Sequence, residues 1–140
     1  MLYLLHRGNH PNLTYTGGQC PIVHLEGDLQ AAVGWAERNE RRWAFTLSNA
    51  GAFYFESRCS LDQLGEINWD AVQATQWSGP GISPSVKEGK QAEFLVERSF
   101  PWHLIERIGV RGQLRAQLVA NLIREAHHRP VVEIKRDWYF

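Results

Sequence analysis

Hydrophobic side chains recur along this chain in short bursts, and the spacing inside each burst predicts its element. The apolar start, Met1 to Leu5, closes at Gly8 and suits either a short helix or a strand. Asn9 to Gly18 is punctuated by Pro11 and Gly17-Gly18 and reads as a loop. Cys20 to Leu25 (CPIVHL) reads as a strand with Pro21 at its start. Asp28 is placed to cap a helix over Leu29 to Arg38, whose Leu29, Ala32, Val33 and Ala36 recur at helical spacing. A second strand is predicted over Trp43 to Thr46, then a turn at Asn49 to Gly51.

The second half is more broken. The stretch Glu56 to Asp70 is acidic and carries a helical turn around Leu61 to Leu64, and Ser78 to Ser85 (SGPGISPS) is the clearest loop. Lys90 to Val96 (KQAEFLV) is the best strand candidate. Pro101 opens a helix expected to run through Glu106, and Ile108 to Val110 is a short strand. Arg111 to Ala126 is predicted as an amphipathic helix with Leu114, Leu118, Leu122 and Ile123 on its buried face. Val131 to Ile134 is a last strand. Strands interleaved with short helices predict one α/β or α+β domain.

Size and charge narrow the function classes. A chain of 140 residues has room for one core, and a hydrophobic fraction of 44% is that of a folded soluble protein. Fifteen Lys plus Arg balance fifteen Asp plus Glu, so any charged surface must come from local segregation. From Arg98 onward, eight basic residues face four acidic ones, a local excess of +4. No apolar run approaches a membrane span, and the N-terminus lacks the cationic region of a signal peptide. Cys20 and Cys59 are read as reduced thiols of a cytoplasmic protein. There is no Cys-x-x-Cys, so metal binding is not expected, and with no Gly-x-Ser-x-Gly and no P-loop or dinucleotide glycine pattern those enzyme classes are excluded.

The chemistry concentrates in KQAEFLV. On a strand, Gln91, Glu93 and Leu95 share one face, and an amide beside a carboxylate can bind sugar hydroxyls. The carboxylate can also oppose a developing cation. A solvated strand face with one exposed charge accounts for the same pattern.

Gln-x-Glu on a strand after a loop resembles the catalytic element of ADP-ribosyltransferases. MLYLLHRGNHPNLTYTGGQCPIVHLEGDL, RRWAFTLSNAGA, VKEGKQAEFLVERSFPW and RPVVEIKRDWYF together resemble the DarT family, the DNA ADP-ribosyltransferase toxins of DarT–DarG toxin–antitoxin systems. The resemblance runs in order over the whole chain. It implies an α+β fold with mixed and antiparallel sheets and flanking helices, in a single domain over residues 1–140 that forms the C-terminal part of the family domain. It implies that NAD is consumed as a substrate and that ADP-ribose passes to a base, usually thymine, in single-stranded DNA. Glu93 matches the catalytic glutamate and Gln91 a supporting NAD contact. His6, Arg7 and Asn9 lie in the family's substrate-facing stretch, and Asn49 stands where some members carry a His; these four are the expected nucleic-acid contacts. The implied partners are single-stranded DNA and a macrodomain antitoxin of the DarG type, with no metal and no membrane. Family members begin with a further strand and helix bearing a His and an Arg that serve NAD. The chain is therefore expected to be N-terminally truncated, with an exposed sheet edge that favours a homodimer. The alternative is a catalytically inactive remnant that binds DNA or the antitoxin.

Overall fold

The computed structural model describes residues 14–139. The chain divides into two compact units, one formed by Met1–Ala32 with Phe100–Phe140 and the other by Val33–Ser99. Among the described residues there are six strands in two three-stranded sheets, an α+β arrangement as expected.

In the first unit, β1 (Val23–Glu26) pairs antiparallel with β5 (Arg107–Val110), which pairs parallel with β6 (Val131–Ile134). Parallel neighbours need a crossover, and helix α4 (Gln113–Leu122) provides it. Ile105, Ile108, Val110 and Val119 form the core, with Val23, Ala116, Ile123 and Val132 packed on it. The helix is shorter than the expected Arg111 to Ala126, and of the four residues expected on its buried face only Ile123 packs on the core. Ala116, Val119 and Ile123 meet the sheet, whereas Leu114, Leu118 and Leu122 are 75%, 44% and 83% exposed. Two stripes at helical spacing coexist in this segment, and the smaller, β-branched one lets the helix lie close to the strands.

The other face of that sheet is polar. The register sets His24, Glu26, Arg107, Gly109 and Glu133 on one side, with Val131 the one apolar side chain among them. Arg107 bridges Glu26 at 3.0 Å and Glu133 at 3.4 Å, and Lys135 meets Glu133 at 3.2 Å. Arg107 Nε and Glu26 Oε2 lack aligned hydrogen-bond partners, so charge rather than directional bonding holds this ladder. Trp138, in a short 3-10 turn, covers Gly109 so closely that a Cβ there would meet its ring at 2.4 Å. The Tyr139 hydroxyl lies 2.8 Å from the Ile22 carbonyl and 3.1 Å from that of Gly109.

The division between units falls within α1 (Leu29–Arg38), where Asp28 Oδ1 accepts the Ala31 N–H at 2.7 Å and Ala32, Val33 and Ala36 are buried, as the spacing predicted. In the second unit, β2 (Trp43–Thr46) is the central strand, flanked antiparallel by β3 (Ser57–Arg58) and β4 (Phe94–Val96). Helix α2 (Trp69–Gln73) is capped by Asn68, and α3 (Pro84–Gly89) by Ser83. The two helices meet where Gly89 faces Ala71 and Asn68; a Cβ on Gly89 would sit 2.9 Å from the Ala71 Cβ.

Three other boundaries differ from expectation. The first strand starts at Val23 because Gln19 to Ile22 forms a turn closed by the Ile22 N–H on the Gln19 carbonyl. The loop Ser78 to Ser85 gives its last two residues to α3, since Pro84 is preorganised for a first helical turn. The helix after Pro101 is one 3-10 turn, Trp102–Leu104. No helix among the described residues is long and apolar enough to cross a membrane.

Candidate functional site

The segment Lys90 to Val96 is a strand only from Phe94. Its front half is consumed by the end of α3: the N–H groups of Lys90, Gln91 and Ala92 donate to the carbonyls of Val86, Glu88 and Gly89. Gln91 therefore sits in a turn, and the shared strand face expected for Gln91, Glu93 and Leu95 does not form.

A different device holds Glu93. Thr46, the last residue of β2, is fully buried. Its N–H donates to the Glu93 carbonyl at 2.8 Å and its Oγ1 accepts the Glu93 N–H at 3.0 Å. The Thr46 hydroxyl donates its own proton to the Ser48 carbonyl at 2.6 Å. The Glu93 backbone is thus clamped while its side chain is exposed. Among the described residues its carboxylate makes no ion pair or hydrogen bond. Its backbone is fixed, and the described residues leave its carboxylate to a ligand.

Gln91 is held by its side chain. Its Nε2 donates to the Lys87 carbonyl at 2.9 Å, and its Oε1 accepts from Asn49 Nδ2 at 3.1 Å. Among the described residues no further partner takes the second N–H and lone pair of that amide. Asn49 is itself pinned, since its Oδ1 accepts the Gly51 N–H at 2.8 Å in the turn after β2. Three residues singled out from the sequence, Asn49, Gln91 and Glu93, so belong to one neighbourhood, through contacts 42 and 47 positions apart. His6, Arg7 and Asn9 lie outside the described residues.

Beside Gln91 opens a depression of about 430 Å³, whose walls include Trp77, Ile82, Pro84, Lys87 and Glu88. The Lys90 ammonium lies 5.5 Å from the centre of the Trp77 ring and donates to the Val72 carbonyl. An indole wall with charged and amide groups at the rim suits a flat, polar-edged ligand. Sequence reading missed Thr46 and Trp77. A polar residue ending an apolar strand was the available signal for Thr46; nothing local to Trp77 marks it. No three His, Cys, Asp or Glu side chains among the described residues group as metal ligands.

Comparison with known proteins gives the chain its family. The family model described as "ssDNA thymidine ADP-ribosyltransferase, DarT" matches residues 1–140. A DNA ADP-ribosyl transferase of Thermus sp. (strain 2.9) is 35% identical over 142 residues, which cover 100% of this chain and 63% of that protein. One from Thermus aquaticus is 36% identical over 145 residues, again covering 100% of this chain and 58% of the relative. The chain thus spans about three fifths of the curated relatives it matches. Among solved structures, Thermus sp. 2.9 DarT in complex with ADP-ribosylated ssDNA aligns with a TM-score of 0.86 at 34% identity, covering 99% of this chain and 63% of that one. The same protein in complex with NAD+ aligns with a TM-score of 0.86 at 34% identity, over 99% and 66% of the two chains.

Proposed function

The chain belongs to the DarT family of ssDNA thymidine ADP-ribosyltransferases, and we propose that it transfers ADP-ribose from NAD+ to a thymine base in single-stranded DNA. The observation that carries this reading is the clamped Glu93 with its open carboxylate, beside an amide that Asn49 and Lys87 hold in place. In the transfer, the bond from the ribose to nicotinamide breaks and its electron pair leaves with nicotinamide. The sugar passes through an oxocarbenium-like state, and a nucleophilic atom of the base bonds to it and gives up a proton. Glu93 is the charge that opposes the developing cation and orients the ribose hydroxyls. Gln91 offers its remaining N–H and lone pair to the same sugar.

One relative, solved both with NAD+ and with ADP-ribosylated ssDNA, supports both substrates. In this reading the chain serves as the toxin of a toxin–antitoxin pair, restrained by a macrodomain antitoxin, and it works in the cytoplasm, where NAD+ and DNA occur together. His6, Arg7 and Asn9 are assigned to the DNA. Self-association is assigned to the outer strands of each sheet, each of which has one partner strand among the described residues.

The test is to incubate the chain with NAD+ and single-stranded oligonucleotides with and without thymine, and to read the mass of the DNA. Modification of the thymine-containing strand alone is expected. Binding of DNA with no mass change, at any enzyme concentration, both by the chain and by the chain joined to the strand-and-helix segment that serves NAD in the family, would replace the reading with the non-catalytic one.

A further inference from the structure

We propose that Phe53 and Tyr54, in the turn between β2 and β3, form a platform on which bases of single-stranded DNA stack beside the reacting thymine. The proposal rests on the function proposed above and adds a substrate contact to it.

The loop is closed at its base by the Leu47 N–H donating to the Glu56 carbonyl at 3.0 Å. Within it the Asn49 side chain and backbone organise a turn, through bonds to the N–H groups of Gly51 and Ala52. That turn throws three consecutive aromatics outward: Phe53 is 90% exposed, Tyr54 87% and Phe55 47%. Phe53 and Tyr54 stand edge to face, 4.7 Å apart at 89°, a contact that occupies one ring face and leaves the rest to solvent. Adjacent aromatics so fully exposed lose the burial that ordinarily stabilises such side chains, so their placement points to a ligand.

Position and charge identify the occupant. The loop leaves β2 directly after Thr46, the residue that clamps Glu93. Counting along the backbone from Tyr54 to Glu56, across to Leu47 and Thr46, and across to Glu93 bounds the separation at roughly 20 Å. A strand stacked at about 3.4 Å per nucleotide covers that distance in roughly six nucleotides. From Leu47 to Arg58 the only basic residue is Arg58, and its guanidinium is already paired with Glu56 at 2.8 Å and Glu66 at 2.6 Å. The loop therefore has no cation to offer a phosphate. What it offers is ring faces, which stack on any base without reading its edge.

The measurement is the affinity of the full chain for a fluorescent single-stranded oligonucleotide of about 12 nucleotides, followed across a salt series. The Phe53→Ser, Tyr54→Ser double variant should bind about five-fold or more weaker, the loss expected when at least one stacked base is released. The slope of log affinity against log salt should stay unchanged, because no phosphate contact is removed. Phe53→Trp with Tyr54→Trp should restore binding. Parental affinity in the double variant overturns the platform. So does a changed salt slope, or loss of self-association with DNA affinity intact. A parent that modifies thymine while the variant binds equally well refutes the platform alone; a parent that neither binds nor modifies DNA refutes the proposed function with it.

Discussion

Replacing Thr46 by Val keeps the volume of the side chain and deletes only its hydroxyl. That hydroxyl makes two bonds, accepting from the Glu93 N–H at 3.0 Å and donating to the Ser48 carbonyl at 2.6 Å, and Thr46 is fully buried. Val leaves both partners unanswered. An unsatisfied group costs about 1–3 kcal/mol where water cannot replace the lost partner. Ser48 is half-buried and part of its loss is recovered by solvent, so the expected total is about 2–4 kcal/mol. Against a typical stability of about 5–15 kcal/mol this is a large fraction. With a urea slope of about 1–3 kcal/mol per molar, the midpoint should fall by about 0.7–4 M. Thr46→Ser keeps the hydroxyl and removes a methyl, which costs about 0.5–1.5 kcal/mol. The Ser variant should therefore melt above the Val variant, and ADP-ribosyl transfer should fall in Val and return in Ser. Equal or greater stability and transfer in Thr46→Val than in Thr46→Ser would refute the clamp.

Two more perturbations follow from the first unit. Val119→Ala opens the core beneath α4 and should lower stability by about 1–3 kcal/mol, whereas Leu122→Lys, at an exposed site, should change it by less than about 0.5 kcal/mol in a chemical denaturation series; the opposite ranking would return the leucine stripe to the core. His24 stands edge-on to Trp138 and Tyr139, and burial holds its imidazole below the ordinary value of 6.5. The unfolded chain takes up this proton as pH drops past 6.5 while the folded chain resists, so the contribution is full above 6.5 and is lost as pH falls through the folded value. The melting temperature should decline over that window, and His24→Gln should flatten the decline; an unchanged slope in the variant would contradict it.

The elements legible in the sequence are those whose signals are local. Asp28 and the spacing of Ala32, Val33 and Ala36 specify α1 because cap and face lie in one contiguous stretch. Trp43 to Thr46 reads correctly because a central strand needs only β-compatible residues. The C-terminal helix misleads because Leu114, Leu118 and Leu122 make a better apolar stripe than Ala116, Val119 and Ile123, and the choice is made by the sheet. The same holds at the site. The role proposed for Glu93 rests on its motif, whereas the support of its backbone comes from Thr46, a residue 47 positions away. The seeming strand from Lys90 is interrupted because α3 takes the N–H groups of Lys90, Gln91 and Ala92. Phe53 to Phe55 have no periodicity to read, and their meaning lies in being left exposed.

Glu93 is the group on which the proposed reaction turns, and single-turnover transfer of ADP-ribose from NAD+ to thymine-containing single-stranded DNA reads its role without interference from product release. Glu93→Gln preserves shape and the backbone bonds to Thr46 while removing the charge. A preorganised group facing transition-state charge contributes about 3 kcal/mol or more, so the transfer rate should fall by a factor of about 10²–10³ with the urea midpoint unchanged. A Glu93→Gln protein that folds normally and modifies thymine within a few-fold of the parent rate would contradict the account.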